Sequence, residues 1–242
     1  MTGTPLTGHV AVAAAADLRF AMDDLIAIYV AAHPGVTVEP TYGSSGTFVT
    51  QISEGAPFDV YFSADAAYPR KLETAGLAVS GSTELYGIGQ IVVWVPNDSM
   101  LDIATRGLEA LTDPSVKTIA IANPEHAPYG RAAEAAMRTA GIYDAVKSRF
   151  VLGENVAQAA QFVESGNADI GVIALSLAVA PDLKDRGRYA VVPIESYPRL
   201  EQGAVVLTSA ANPDAALSFL DFVLGPDGRT VLDRYGFLLP PS

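Results

Sequence analysis

The sequence predicts an α/β protein of two lobes. Three observations carry this. Short apolar segments of strand length alternate with segments of helical period from Val10 to Ala75, and the alternation resumes at Thr118 and runs to Ala174. A long apolar stretch, Ile88–Pro96, stands between the two series. Two helices close the chain after a further break near Ile194–Arg199. With 242 residues, half of them hydrophobic, the chain can build two small cores.

Val10–Ala14 reads as a buried strand. Leu18, Met22, Leu25 and Tyr29 follow at helical spacing, widened by Ala21 and Ile28, until Pro34-Gly35 ends the helix. Val36–Tyr42 is the next strand, and a helix carrying Phe48, Val49 and Ile52 runs to Glu54. Asp59–Ser63 and Tyr68–Ala75 give the third strand and helix, stopped by Gly76. Ile88–Pro96 reads as one strand, and Leu108–Leu111 as a short helix. The second series is strand Thr118–Ala122, helix Tyr129–Ala140, strand Phe150–Leu152, helix Val156–Ser165 and strand Ile170–Ala174. Tyr189–Pro193 and Ala204–Leu207 are strands, and Pro213–Leu224 and Asp227–Tyr235 are helices separated by Gly225-Pro226. Such alternation predicts parallel sheets with helices on both faces.

Crossovers near Leu85–Gly89 and Ile194–Arg199 would return the last helices to the first lobe. Residues 1–86 with 196–242 then form lobe 1, and residues 87–195 lobe 2, joined by a two-strand hinge.

Composition narrows the function. The net charge of −12 argues against nucleic acid, whose phosphates need Lys and Arg. It also argues against a polybasic membrane contact, and no apolar run nears the ~20 residues of a membrane helix. Cysteine is absent, which removes disulfides and thiolate metal sites. His9, His33 and His126 lie far apart with no HExxH pairing. The N-terminus lacks a basic segment followed by an apolar one, so the expectation is a cytoplasmic chain or one whose export signal is not in this sequence.

The chemistry gathers where strands hand over to helices. The first N–H groups of a helix lack intrahelical partners, and the peptide dipoles add roughly half a positive charge there. Such a start binds an anion without Lys or Arg, and in doubly wound sheets ligands lie beyond the carboxyl ends of the strands. Four junctions qualify: A13-A-A-A-D-L18, G43-S-S-G-T47, N123-P-E-H-A-P-Y-G130 and G153-E-N-V156. Two belong to each predicted lobe, so facing lobes would gather them in one cleft. Their donors would be backbone N–H groups, a hydroxyl of Ser44, Ser45 or Thr47, and the Tyr129 phenol. Plain local roles compete: Ser44 or Ser45 as N-cap, Gly43 and Gly46 for the turn, His126 as a loop residue.

Taken together, V12-A-A-A-A-D-L18, T41-Y-G-S-S-G-T47, Q51-I-S-E-G-A-P-F-D-V-Y-F-S-A-D65, N123-P-E-H-A-P-Y-G130 and R234-Y-G-F237 resemble the periplasmic molybdate-binding proteins of ABC importers. The resemblance runs in order over residues 9–237, and the GAP-x-D-x-x-x-SAD and PEH-x-P segments are its most specific parts. It implies a type II periplasmic binding fold, with two α/β lobes, a two-strand hinge, and one tetrahedral oxyanion held between them by neutral donors. Molybdate, and tungstate with it, is the implied ligand, delivered to an ABC transporter permease by a monomer in the periplasm or by a cell-surface lipoprotein. No cofactor and no catalytic residue are implied, and the metal is bound as its oxyanion rather than by side-chain ligands.

Residue by residue, the resemblance places ligand contacts at Ala16, Asp17, Ser45, Tyr129 and the backbone N–H of Val156. A further position, a tyrosine in some members, falls on Ala174, so this chain lacks that phenol and Tyr129 is expected to replace it. Asp17 departs from the serine or asparagine common there. At ~4 Å and an effective dielectric near 20, each pair of like unit charges costs roughly 4 kcal/mol. The carboxylate is therefore expected to turn away, capping its own helix or meeting Arg19 or another cation, while its N–H faces the ligand. Protonation of Asp17, or a ligand other than molybdate, are the other two possibilities. The competing functions are a receptor for sulfate or another tetrahedral oxyanion, a hydrolase using Ser45, and an intracellular sensor domain. A hydrolase elbow needs G-x-S-x-G, which the residues after Ser45 do not supply.

Overall fold

In the computed structural model, which describes residues 6–240, the chain opens with β1, Gly8–Ala15. Val10, Val12 and Ala13–Ala15 are buried, as a strand covered on both faces requires. A 3-10 turn at Ala16–Leu18 leads into α1, Arg19–Ala32, whose buried stripe is Ala21, Met22, Leu25 and Tyr29. Then come β2 (Val36–Gly43), α2 (Ser45–Ser53), β3 (Val60–Ser63), α3 (Ala67–Thr74) and β4 (Glu84–Gly89). The middle of the chain is β5 (Ile91–Pro96), α4 (Ile103–Arg106), β6 (Ile119–Ala122), α5 (Pro128–Thr139) and α6 (Tyr143–Val146). It continues with β7 (Phe150–Gly153), α7 (Val156–Glu164), β8 (Ile170–Ala174), α8 (Leu175–Ala178) and β9 (Gly187–Val191). β10 (Leu200–Val206), α9 (Pro213–Leu224) and α10 (Pro226–Arg234) end it.

The chain divides into two compact units. The first holds the described residues up to Gly87, Glu201–Arg234 and the segment from Leu239; the second holds Ile88–Leu200 and Tyr235–Leu238. Two short segments fall in the other unit from the one expected. Residues 196–200 join the second unit, where the Tyr197 phenol accepts from the Ile91 N–H at 3.2 Å. Tyr235–Leu238 does so too, because Ile88 and Leu238 exchange backbone hydrogen bonds of 2.8 and 3.0 Å and Gln90 Nε2 donates to Gly236 O.

The first unit has a sheet of order β2-β1-β3-β10-β4. β1 pairs in parallel with β2 and β3, whereas β10 runs antiparallel to β3. Consecutive strand residues face opposite sides, and Tyr61 and Phe62 show it. Tyr61 packs with Phe48, Val49 and Ile52 of α2. Phe62 meets Phe219 of α9, ring centroids 6.2 Å apart, and Phe219 meets Tyr29 of α1 at 5.1 Å.

The second unit has a sheet of order β7-β6-β8-β5-β9. β6 is parallel to β7 and β8, while β5 is antiparallel to β8 and β9. Both sheets are thus mixed rather than purely parallel, because β5 and β10 enter from distant points of the chain. The stretch read as one strand, Ile88–Pro96, is two: β4 and β5 belong to different sheets and part at Gln90. Apolar residues on both sides of Gln90 hide that break from periodicity.

Candidate functional site

In the first unit the strand register brings two helix starts to one edge. Ala15 pairs with Gly43, and Ala14 with both Tyr42 and Phe62. Ala16-Asp17, Ser44-Ser45 and Ser63-Ala64 therefore leave three adjacent strands at the same end.

Ser44, in extended conformation, occupies the N-cap of α2 without a side-chain cap bond, and Ser45 is the first helical residue. Ser45 is 1% exposed. Its Oγ accepts from the Ala64 N–H at 3.0 Å, and its carbonyl accepts from the Tyr61 phenol at 2.7 Å. Burial pushes the Tyr61 phenol far above its usual range, so it remains a donor. With one of its two lone pairs taken by Ala64 N–H, Ser45 Oγ keeps its proton to donate.

Ala16 and Asp17 form the 3-10 turn and are both buried. Asp17 Oδ2 accepts from Gln202 Nε2 of β10 at 2.8 Å. The sequence reading looked for a cation or a helix cap; the structure supplies a neutral amide from 185 residues away.

The GAP-x-D-x-x-x-SAD segment is the frame around these groups. Asp59 is 4% exposed, and its carboxylate accepts from Ala11 N at 2.7 Å and Ala211 N at 2.6 Å. Ser63 Oγ donates to Asp65 O at 2.8 Å and accepts from Asp65 N at 3.1 Å, closing the turn that presents the Ala64 N–H to Ser45. Asp65 Oδ1 then accepts from Ala67 N at the start of α3.

The second unit repeats the arrangement. Ala122 pairs with Gly153, and Asn123 N donates to Gly153 O at 2.7 Å, so β6 and β7 release their helices side by side. Pro128 opens α5 at its first turn, where a missing N–H costs nothing. Tyr129 follows, 3% exposed. A Cβ on Gly130 would lie 2.1 Å from Ala122 O, so only glycine lets α5 start this close to its strand. At α7, Asn155 Oδ1 accepts from Ala157 N and Gln158 N, both at 3.0 Å. The N–H of Val156 precedes those two and is not part of the cap. His126 Nε2 stands 3.8 Å from Glu154 Oε2, linking the two loops. Ala174 ends β8 as a fully buried residue.

The structure thus brings Ala16, Asp17 and Ser45 together in the first unit. Tyr129 and Val156 open two neighbouring helices of the second. Gln202, which the sequence reading did not single out, bonds Asp17, and Asp59 ties together segments of the unit that carries the first set. Among the described residues no group of three or more His, Cys, Asp or Glu side chains could hold a metal ion, and no helix is long and apolar enough to cross a membrane.

A profile of the bacterial extracellular solute-binding proteins matches residues 10–238. Molybdate-binding protein ModA of Rhodobacter capsulatus is 37% identical over 204 residues, 84% of this chain and 78% of that protein. ModA of Azotobacter vinelandii is 37% identical over 229 residues, 95% of this chain and 89% of that protein. The structure of the A. vinelandii periplasmic molybdate-binding protein superposes with a TM-score of 0.89 at 31% identity, covering 96% of this chain and all of that one.

Proposed function

The chain belongs to the bacterial extracellular solute-binding proteins, and from that premise we propose that it captures molybdate for an ABC permease. Tungstate, the same shape and charge, is its second ligand. The donors are the backbone of Ala16 and Asp17 and the Ser45 hydroxyl in the first unit, with the Tyr129 phenol and the Val156 N–H in the second. The protein binds and releases the ion without changing it. It works outside the cytoplasm, in the periplasm or tethered to the cell surface.

The observation that carries this reading is the state of Ser45. Its hydroxyl is buried, one of its two lone pairs is taken by Ala64 N–H, and its proton remains to be given to the ligand. Donors of this kind suit a fully deprotonated dianion. Hydrogenphosphate carries a proton that needs an acceptor, and it would leave that proton unsatisfied at a cost of about 1–3 kcal/mol. The net charge of −12 does not prevent capture. Charges beyond about 8–10 Å are screened in physiological salt, whereas contacts inside a dry site are not.

Calorimetric titration with molybdate, tungstate, sulfate and phosphate tests the assignment. Molybdate and tungstate should bind, with phosphate silent. Tighter binding of sulfate than of molybdate would make the protein a sulfate receptor instead. Tyr129→Phe removes the phenol donor. It should weaken molybdate by about 1–3 kcal/mol, roughly five- to 150-fold. An undiminished affinity in the same titration would take the phenol out of the site.

A further inference from the structure

We propose that Gln202 is a positioning residue that holds the Asp17 carboxylate away from the oxyanion. The inference rests on the oxyanion reading above and deepens it.

Three buried polar side chains form a line inside the first unit. The Tyr86 phenol donates to Gln202 Oε1 at 2.6 Å, and Gln202 Nε2 donates to Asp17 Oδ2 at 2.8 Å. Tyr86, Gln202 and Asp17 are each no more than 1% exposed. Burial first, and then the nearby Asp17 and Tyr61, push the Tyr86 phenol well above its usual range, so it keeps its proton. The alternative acceptor, Ser63 O, is farther away at 3.2 Å. A phenol that donates to Oε1 settles the amide's direction, because the other end of Gln202 is then its NH2 group. That end meets Asp17, and a carboxylate can accept it.

The partner's lack of charge matters. A lysine or arginine here would neutralise Asp17 but also place a full positive charge beside the helix start. The amide fixes the orientation of the carboxylate and leaves the donor set of the site uncharged. Without that amide the carboxylate loses the hydrogen bond that sets its direction, and turned toward the dianion it would repel it at short range.

Gln202→Met keeps the side-chain length and removes the donor to Asp17 together with the acceptor of the Tyr86 phenol. It should weaken molybdate binding by about ten- to hundredfold, the range expected for a hydrogen bond to a charged group. Adding Asp17→Asn in the same chain removes the misplaced charge. Affinity should then return to within about threefold of the Asp17→Asn single variant, a coupling that packing damage alone would not produce. Tyr86→Phe frees the amide to turn and should cause a smaller loss, also cancelled by Asp17→Asn. It carries the test if Gln202→Met does not fold. Tight molybdate binding by the parent chain with no loss in these variants, or a loss that Asp17→Asn leaves in place, overturns the positioning role alone. A parent chain that binds no oxyanion overturns the functional reading with it.

Discussion

Asp59→Ala should destabilise the first unit by about 1–3 kcal/mol, since it removes the acceptor of two part-buried N–H groups. The carboxylate receives Ala11 N of β1 on one oxygen and Ala211 N, just before α9, on the other. The backbone of Asp59 adds two more links, its N–H to Ala11 O at 2.8 Å and its carbonyl to Leu207 N at 2.9 Å. One residue, 4% exposed, thus ties β1, the entry to β3 and the end of β10. Urea titration followed by hydrogen exchange at the Ala11 and Ala211 amides measures the effect. Asp59→Asn should fall between, because it keeps one acceptor and turns an NH2 group toward the other donor. A change below about 1 kcal/mol for Asp59→Ala would show that those amides find other acceptors.

Ser45→Ala should cost about 1–3 kcal/mol of molybdate affinity, roughly five- to 150-fold. Two effects combine. The anion loses a hydroxyl donor, and the Ala64 N–H loses its acceptor. The second effect also lowers stability in the ligand-free protein, which a melting curve separates from the first. Tyr61→Phe is the useful companion, because it removes the bond to Ser45 O without touching the hydroxyl. Equal molybdate affinity in Ser45→Ala and the parent protein would exclude the hydroxyl from binding.

The local structure was largely legible because it is written locally. Apolar spacing marked β1, α1, β2, α2 and β3, and the helix read as Tyr129–Ala140 is α5. The junction at Ser44-Ser45 followed from two hydroxyls between two glycines. What stayed hidden depends on partners distant in sequence. Gln202 looks like an exposed residue beside Glu201, and the strand was therefore read from Ala204 rather than Leu200. It is instead a core residue, because Tyr86 and Asp17 lie 116 and 185 positions away and satisfy its amide. The division at Gln90 was invisible for a similar reason: its partners, Leu175 N and Gly236 O, come from elsewhere in the chain. The Asp17 carboxylate posed a puzzle that charge counting alone could not solve, since Gln202, which donates to it, bears no charge.

The placement of β10 between β3 and β4 also sets an order of events during biosynthesis. The second sheet is drawn from one nearly continuous segment, Ile88–Leu200. The first is left with a gap until Glu201–Val206 has emerged, long after its other strands. Contacts of such wide sequence separation form late, because loop closure must precede them. A nascent chain therefore carries its N-terminal third as an incomplete sheet, while the portion made later is the first able to mature.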